Sequence, residues 1–163
     1  MARDVRRAPA KLNAALVALT LAFAAGGWLA WQARAEELAV AADRQAAITA
    51  ASTHAINLMS VDHRTIDSTL NRILATSTGE AKTGYQATLK AATLKNKVLQ
   101  TGVLRASGLT SFTATDAQAL VVADAVINWA DRDDPAEERF YRWRMTLVKE
   151  SGKWLVAKAE LVS

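Results

Sequence analysis

The longest apolar run lies early in the chain: from Leu12 to Ala33 no charged side chain occurs. A helix of that length rises roughly 33 Å, close to the ~30 Å hydrocarbon thickness of a bilayer. Residues 12–33 therefore predict one transmembrane helix. Residues 34–60 hold no Gly or Pro and are rich in alanine, and Leu38, Ala41, Ile48, Ala51, Ala55 and Leu58 predict a helix continuing past the span. Its apolar face is thin, which reads as a stalk that leads into a domain or meets a partner. Ile66, Leu70, Ile73 and Leu74 then recur at i, i+4, i+7 and i+8, a second helix with Asp62 or Thr65 as N-cap. Ser77-Thr78-Gly79-Glu80 stops it. Ser77 and Glu80 stand at capping-box spacing and open a third helix, with Tyr85, Leu89 and Ala92 on one face.

After Lys95 the period changes from helical to alternating, and the rest of the chain reads as four strands: 97–106, 119–129, 139–149 and 154–162. Gly108 lies beyond the first, the Pro135-containing loop 131–138 ends the second, and Ser151-Gly152 turns the third into the fourth. In the third strand Tyr141, Trp143, Met145 and Leu147 share a face opposite Arg142, Arg144 and Thr146. In the second, Val121, Ala123, Ala125, Ile127 and Trp129 share a face, which puts Asp124 on the other, within reach of Arg142 or Arg144 if those strands are neighbours. Helices followed by antiparallel strands indicate an α+β fold, with helices packed on one side of a curved four-stranded sheet. The expected organisation is a tail at 1–11, the span at 12–33, a helical stalk at 34–60 and an α+β domain at 61–163.

Charge sets the orientation of the span. Arg3, Arg6, Arg7 and Lys11 precede it, whereas Arg34 and Arg44 follow beside Glu36, Glu37 and Asp43. Basic flanks stay in the cytoplasm, so the tail is expected inside and the domain outside the inner membrane, with Trp28 and Trp31 near the outer headgroups. Ala33-Arg34-Ala35 also has the small-x-small form of a signal-peptidase site, but the apolar run outlasts a signal core and two tryptophans stand just before the site. The net charge of +4 misleads, because residues 34–163 hold 16 of the 20 basic and 15 of the 16 acidic residues. A near-neutral domain is not built to bind nucleic acid. With no cysteine there are no disulfides, thiolate metal sites or cysteine nucleophiles.

Three stretches carry a resemblance: Leu58-Met59-Ser60-Val61-Asp62-His63-Arg64-Thr65, Asn96-Lys97-Val98-Leu99-Gln100-Thr101-Gly102, and Tyr141-Arg142-Trp143-Arg144-Met145-Thr146-Leu147-Val148 leading through Gly152-Lys153-Trp154-Leu155-Val156. In order and spacing they cover most of residues 35–163, and there the chain resembles the mycobacterial Mce-associated membrane proteins. His63 departs from the pattern, where an aromatic tyrosine is expected. The resemblance implies a nuclear transport factor 2-like or SnoaL-like cone behind one span. It also implies an accessory, stabilising subunit of an Mce-type importer of fatty acids or sterols, with the Mce permease and ring subunits as partners. The chain lacks a Gly-rich phosphate loop, so ATP hydrolysis would fall to another subunit.

Little in the sequence points to chemistry. His54 and His63 are the two histidines, and no acidic residue completes a ligand set with both, so no metal or other cofactor is expected. His63, beside Asp62 and Asp67, reads as a hydrogen-bonded helix-start residue. Ser60, Ser107 and Ser111 lie in no nucleophile-elbow pattern, and no catalytic residue is assigned. Tyr85, Trp143 and Met145 would line a small apolar cavity or, more simply, fill the core. A lipid-binding domain and a membrane-tethered SnoaL-like enzyme are the alternatives to a non-enzymatic subunit. Arg139, Arg142 and Arg144 suggest a basic stripe for lipid headgroups or an acidic partner. In the span, Ala14, Ala18, Ala22, Gly26 and Ala30 recur every four residues, although ten of its 22 residues are Ala or Gly. Small residues at that spacing let another helix approach closely in lipid, where hydrophobicity gives no preference.

Overall fold

A computed structural model describes residues 7–162, with side chains described from residue 14. The basic residues ahead of the span, Arg3 to Lys11, lie outside the described side chains. Helix α1 runs Arg7–Met59, followed by strand β1 (Val61–Asp62), helices α2 (Ile66–Ala75) and α3 (Gly79–Asn96), then strands β2 (Val98–Phe112), β3 (Asp116–Trp129), β4 (Glu137–Glu150) and β5 (Lys153–Leu161). The chain divides into two compact units, Met1–Ala42 and Asp43–Ser163.

In the first unit every described side chain of α1 is exposed, including Leu16, Phe23, Trp28 and Trp31. Among the described residues this is the one helix long and apolar enough to cross a membrane, with a mean hydropathy of 1.8 over its most apolar window. A helix apolar on all sides and unburied within its own chain requires lipid or another protein around it.

The second unit is a helix-on-sheet domain. All five strands are antiparallel neighbours in the order β1-β2-β3-β4-β5. One face of β3 is fully buried through Ala117, Ala119, Val121, Ala123, Ala125 and Ile127, and β4 adds Trp143, Met145 and Leu147. Against them lies the end of α1, where Ala47, Ala51, Ala55 and Met59 are completely buried. The expected boundary at residue 61 therefore does not hold, since the domain's core takes in 43–59. The apolar face of that segment is thin because it is made of alanines set against a strand that is also mostly alanine.

Polar ties hold this segment on three sides. Asp43 accepts from Lys149 Nζ at 2.6 Å and Trp154 Nε1 at 2.9 Å. Arg44 sits 5.5 Å from the Phe112 ring, and Ser52 bonds Ser107 at 2.8 Å. At the far end Met59 passes over Gly102, where an added Cβ would lie 2.6 Å from Met59 Cβ.

Strand β2 runs six residues beyond its expected end at Ala106. Register shifts at Leu104/Ala106 and Leu109/Ser111 explain the misreading. Each bulge inserts one residue and reverses the inward parity, so Leu104, Ser107, Leu109 and Phe112 all face the core although they follow no simple alternation. The fifth strand, β1, is two residues long and carries no periodic signal; it pairs Val61 with Gln100. Ser151 and Gly152 make the tight turn before β5 with φ of 49° and 78°, a turn with two left-handed residues that suits glycine at its second position.

The capping box expected at Ser77 and Glu80 does not form. Thr78 is the N-cap of α3, and Ser77 instead donates to the Ile73 carbonyl at 2.9 Å. The α2–α3 link is diverted onto β5: Val156 N–H donates to Thr76 O, and Thr78 N–H donates to Val156 O. That bridge covers part of the outer edge of β5.

Candidate functional site

Four groups of residues are candidates, and the structure separates them. The small residues of the span, Ala14, Ala18, Ala22, Gly26 and Ala30, all lie on α1 and are exposed. A Cβ added at Gly26 would meet no described atom within 4 Å. Steps of four residues advance about 40° each around a helix, so the five positions wind through about 160°. Ala18, Ala22 and Gly26 alone stay within about 80°, a face suited to a partner crossing at an angle along the i±4 ridge.

Arg139, Arg142 and Arg144 do not form one stripe. Alternation along β4 puts Arg142 and Arg144 on the outer face, while Arg139 shares the side of Tyr141 and Trp143. Its guanidinium reaches Glu137 at 2.6 Å, which holds Arg139 above its usual range with a smaller contribution from Tyr141. The odd number was visible in the sequence and already separated it from the other two. Asp124 does face outward, but it pairs with Arg105 of β2 at 2.6 Å rather than with Arg142 or Arg144, whose neighbours on β3 are Val122 and Leu120. The bulge at Arg105 turns that side chain across the strand.

Tyr85, Trp143 and Met145 do not meet around a cavity. Met145 is fully buried and Trp143 nearly so within the sheet core, where Trp143 stacks on Tyr141 at 4.7 Å between ring centroids. Tyr85 lies elsewhere, on α3, where it lines an open groove of about 310 Å³ with Glu80, Ala81, Gly84, Thr88, Lys158 and Ala159.

Behind Tyr85 stands the group that sequence reasoning missed. His54 is fully buried; its Nδ1 is 2.8 Å from Thr76 Oγ1 and its Nε2 3.2 Å from the Tyr85 hydroxyl. Thr76 Oγ1 lies 2.9 Å from the Ile73 carbonyl, to which its hydroxyl donates. Its oxygen therefore accepts from Nδ1–H, leaving Nε2 to accept from Tyr85. Burial pushes His54 down to about 4 and Tyr85 up to about 12. Both partners hold their neutral forms, and both imidazole nitrogens are used within the chain. The arrangement ties α1 to the end of α2 and to α3, with no ring nitrogen left to act on a substrate. A histidine next to Ala55, on the core side of α1, was the available signal, obscured because the segment read as a stalk.

His63 also departs from expectation. Its Nδ1 is 3.7 Å from Asp62 Oδ1, outside hydrogen-bond range, and has no hydrogen-bond partner among the described residues. Asp62 is taken by Arg64, whose side chain and N–H hydrogen-bond to it and hold the carboxyl down at about 2. No cluster of three metal-ligating side chains occurs among the described residues.

The helices over one face of a curled antiparallel sheet, preceded by a long apolar helix, define the class: a nuclear transport factor 2-like α+β domain on one membrane-spanning helix. Within it, the chain belongs to the family described as "Uncharacterized protein Rv1363c/MT1408-like", which matches residues 8–163. No curated protein matches the sequence. Among solved structures, the intermembrane space region of chloroplast protein ARC6 is 13% identical with a TM-score of 0.57, covering 74% of this chain and 96% of its own. An IcmL-like type IV secretion system protein from Legionella pneumophila is 15% identical, with a TM-score of 0.56 over 71% of this chain and 91% of that one. The periplasmic domain of DotI is 12% identical at a TM-score of 0.58, over the same shares of the two chains. At such identities the likeness is one of fold.

Proposed function

We propose that this protein is a non-enzymatic, single-span accessory subunit of a multi-protein complex in the cell envelope. Its N-terminus lies in the cytoplasm and its α+β domain outside the inner membrane. The observation that carries this reading is the small-residue face of α1 at Ala18, Ala22 and Gly26, which is exposed among the described residues. Such a face gains by packing on another membrane helix. The internal pairing of His54 with Thr76 and Tyr85 supports a structural domain over a catalytic one. Likenesses to a type IV secretion system protein and to a periplasmic domain fit a component of an envelope assembly.

The finer reading is an Mce-type lipid importer, with α1 docked on the permease and the domain beside the Mce ring subunits. It rests on the sequence resemblance. Arg142 and Arg144 on the outer sheet face are the candidates for contact with lipid headgroups or an acidic partner surface.

Affinity-tagged full-length chain recovered from native membranes should bring down permease and Mce subunits. Ala22→Leu with Gly26→Leu should abolish that recovery while leaving the chain in the membrane. Recovery without Mce subunits removes the importer; unchanged recovery by the double variant removes the span from the interface.

A further inference from the structure

The outer edge of β5 begins a pairing that the chain does not finish. At Val156 the N–H and carbonyl are taken by Thr76 and Thr78, on a segment that runs parallel to β5 through the Ser77–Val156 bridge. Gly79, at φ 52°, then turns the chain off that edge into α3; a Cβ added there would lie 3.7 Å from the Ala157 carbonyl oxygen. Beyond this turn the edge stays open. Val162 N–H donates to the Arg142 carbonyl on β4, so alternation turns the N–H and C=O groups of Ala159 and Leu161 away from β4. Among the described residues no other backbone group meets them.

The groove of about 310 Å³ beside Tyr85 lies where that strand would continue, with Lys158 and Ala159 of β5 on one wall and α3 from Glu80 to Thr88 on the other. From Glu80 to Thr88 the helix rises about 12 Å, the span of roughly three to four residues of extended chain. Ala159 on one wall, with Ala81 and Gly84 on the other, leaves width for a backbone, and a Cβ added at Gly84 would meet no described atom within 4 Å. Lys158, the one basic side chain lining the groove, lies 2.8 Å from Glu160 and 4.0 Å from Glu80. A cation shared between two carboxylates is a poor seat for an anionic ligand. An open row of backbone groups in a narrow, small-walled cleft suits an extended peptide of small, uncharged residues, since strand addition to a sheet edge is made by main-chain hydrogen bonds. We propose that an extended segment of another protein adds to the outer edge of β5 in the groove between α3 and β5, pairing with Ala159 and Leu161 and continuing the strand that Thr76–Thr78 begins. This site is separate from the span and does not rest on its docking.

The natural chain has no cysteine, so one introduced thiol reports on one place. Full-length Thr88→Cys in mild detergent is equilibrated, in excess β-mercaptoethanol, with a short peptide of alternating alanine and valine joined through glycines to a cysteine. The conjugated fraction, read by intact mass, should exceed that of Gln86→Cys about tenfold, because Gln86 lies on the far side of α3 and a tether there gives the peptide no access to the groove. N-methylating either the alanines or the valines of the peptide removes donors from one of its two edges at a time. One pattern should keep the yield and the other lower it about tenfold, as a strand ladder requires. Adding Gly84→Leu, which fills the cleft and raises helix propensity, should remove the advantage of Thr88→Cys. In the conjugate, residue-resolved hydrogen exchange at Ala159 and Leu161 should slow about tenfold as their N–H groups enter a ladder. The proposal is overturned by equal yields at Thr88→Cys and Gln86→Cys, by equal yields from the two N-methylation patterns, by indifference to Gly84→Leu, or by unaltered exchange at Ala159 and Leu161.

Discussion

Burial of His54 should make the domain acid-sensitive by an amount that can be worked out. The imidazole titrates at about 4 in the folded chain against 6.5 when free, so its folded-state value is depressed. Above pH 6.5 the ring is neutral folded or unfolded, and the group adds no pH dependence. Between 6.5 and 4 the unfolded chain takes up a proton that the folded chain refuses, and stability falls by ~1.4 kcal/mol per pH unit. Below 4 the folded state protonates too and the loss stops, at roughly 3 kcal/mol in total. Carboxylates also titrate near the lower end of this window, so the comparison must be made against a chain without this one imidazole. His54→Gln serves, since Gln does not titrate. At pH 7.5 the variant should be less stable by roughly 1–3 kcal/mol, because Thr76 and Tyr85 lose well-placed partners in a buried site. By pH 4.5 that gap should have closed or reversed. Urea unfolding of the full chain in mild detergent, followed by the fluorescence of buried Trp143 and Trp154, measures both stabilities. A gap of the same size at pH 7.5 and 4.5 would refute the buried, neutral assignment.

Gly102→Ala should cost about 1–3 kcal/mol, the usual range for overpacking, since its Cβ would lie 2.6 Å from Met59 Cβ and 3.0 Å from the Asp124 carbonyl oxygen. Met59→Gly removes that Cβ together with the sulfur at 2.7 Å, so the double variant should lose less in urea unfolding than the two single losses combined. Asp43→Asn and Lys149→Met should each lower the Tm at neutral pH, and the pair together should lower it little further than one alone, because both break one ion pair. Lys149 and Trp154 hold the Asp43 carboxyl below its usual range, so its stabilising contribution is present above 3.8 and is lost as pH falls further. A thermal-denaturation series across that range, with and without Asp43→Asn, reads it.

Those elements with a single uninterrupted period were legible in advance. The long apolar helix, α2, β3, β4 and the Ser151-Gly152 hairpin all follow from apolar spacing and one turn signal. Where two features overlapped, the sequence misled. β2 reverses parity at each of two bulges, so its inward side chains obey no fixed period and the strand seems to stop at Ala106. Ser77 has the residue type and spacing of a cap, but Thr76 and Thr78 are drawn onto β5, and that tertiary pairing overrides the local preference.

The least legible part was the most consequential. An alanine-rich helix face has too little hydrophobicity to announce burial, and whether it is core depends on what faces it. Here the partner is β3, where alanines occupy four of the six buried inward positions, so neither surface has the large aliphatic residues that mark a core. Small side chains on both surfaces leave the helix near enough for polar groups along it to reach partners: Ser52 to Ser107, His54 to Thr76 and Tyr85, Asp43 to Lys149 and Trp154. Those same polar groups made the segment look solvated in the sequence. The charge pattern misled at the sheet for a related reason: counting arginines near one another along β4 ignored that position 139 points to the opposite side from 142 and 144. With Arg139 paired to Glu137 and Arg105 paired to Asp124, the outer face is less basic than the count of arginines suggests. Contact with lipid headgroups or an acidic partner is therefore to be tested at Arg142 and Arg144, which keep the outer face without Arg139.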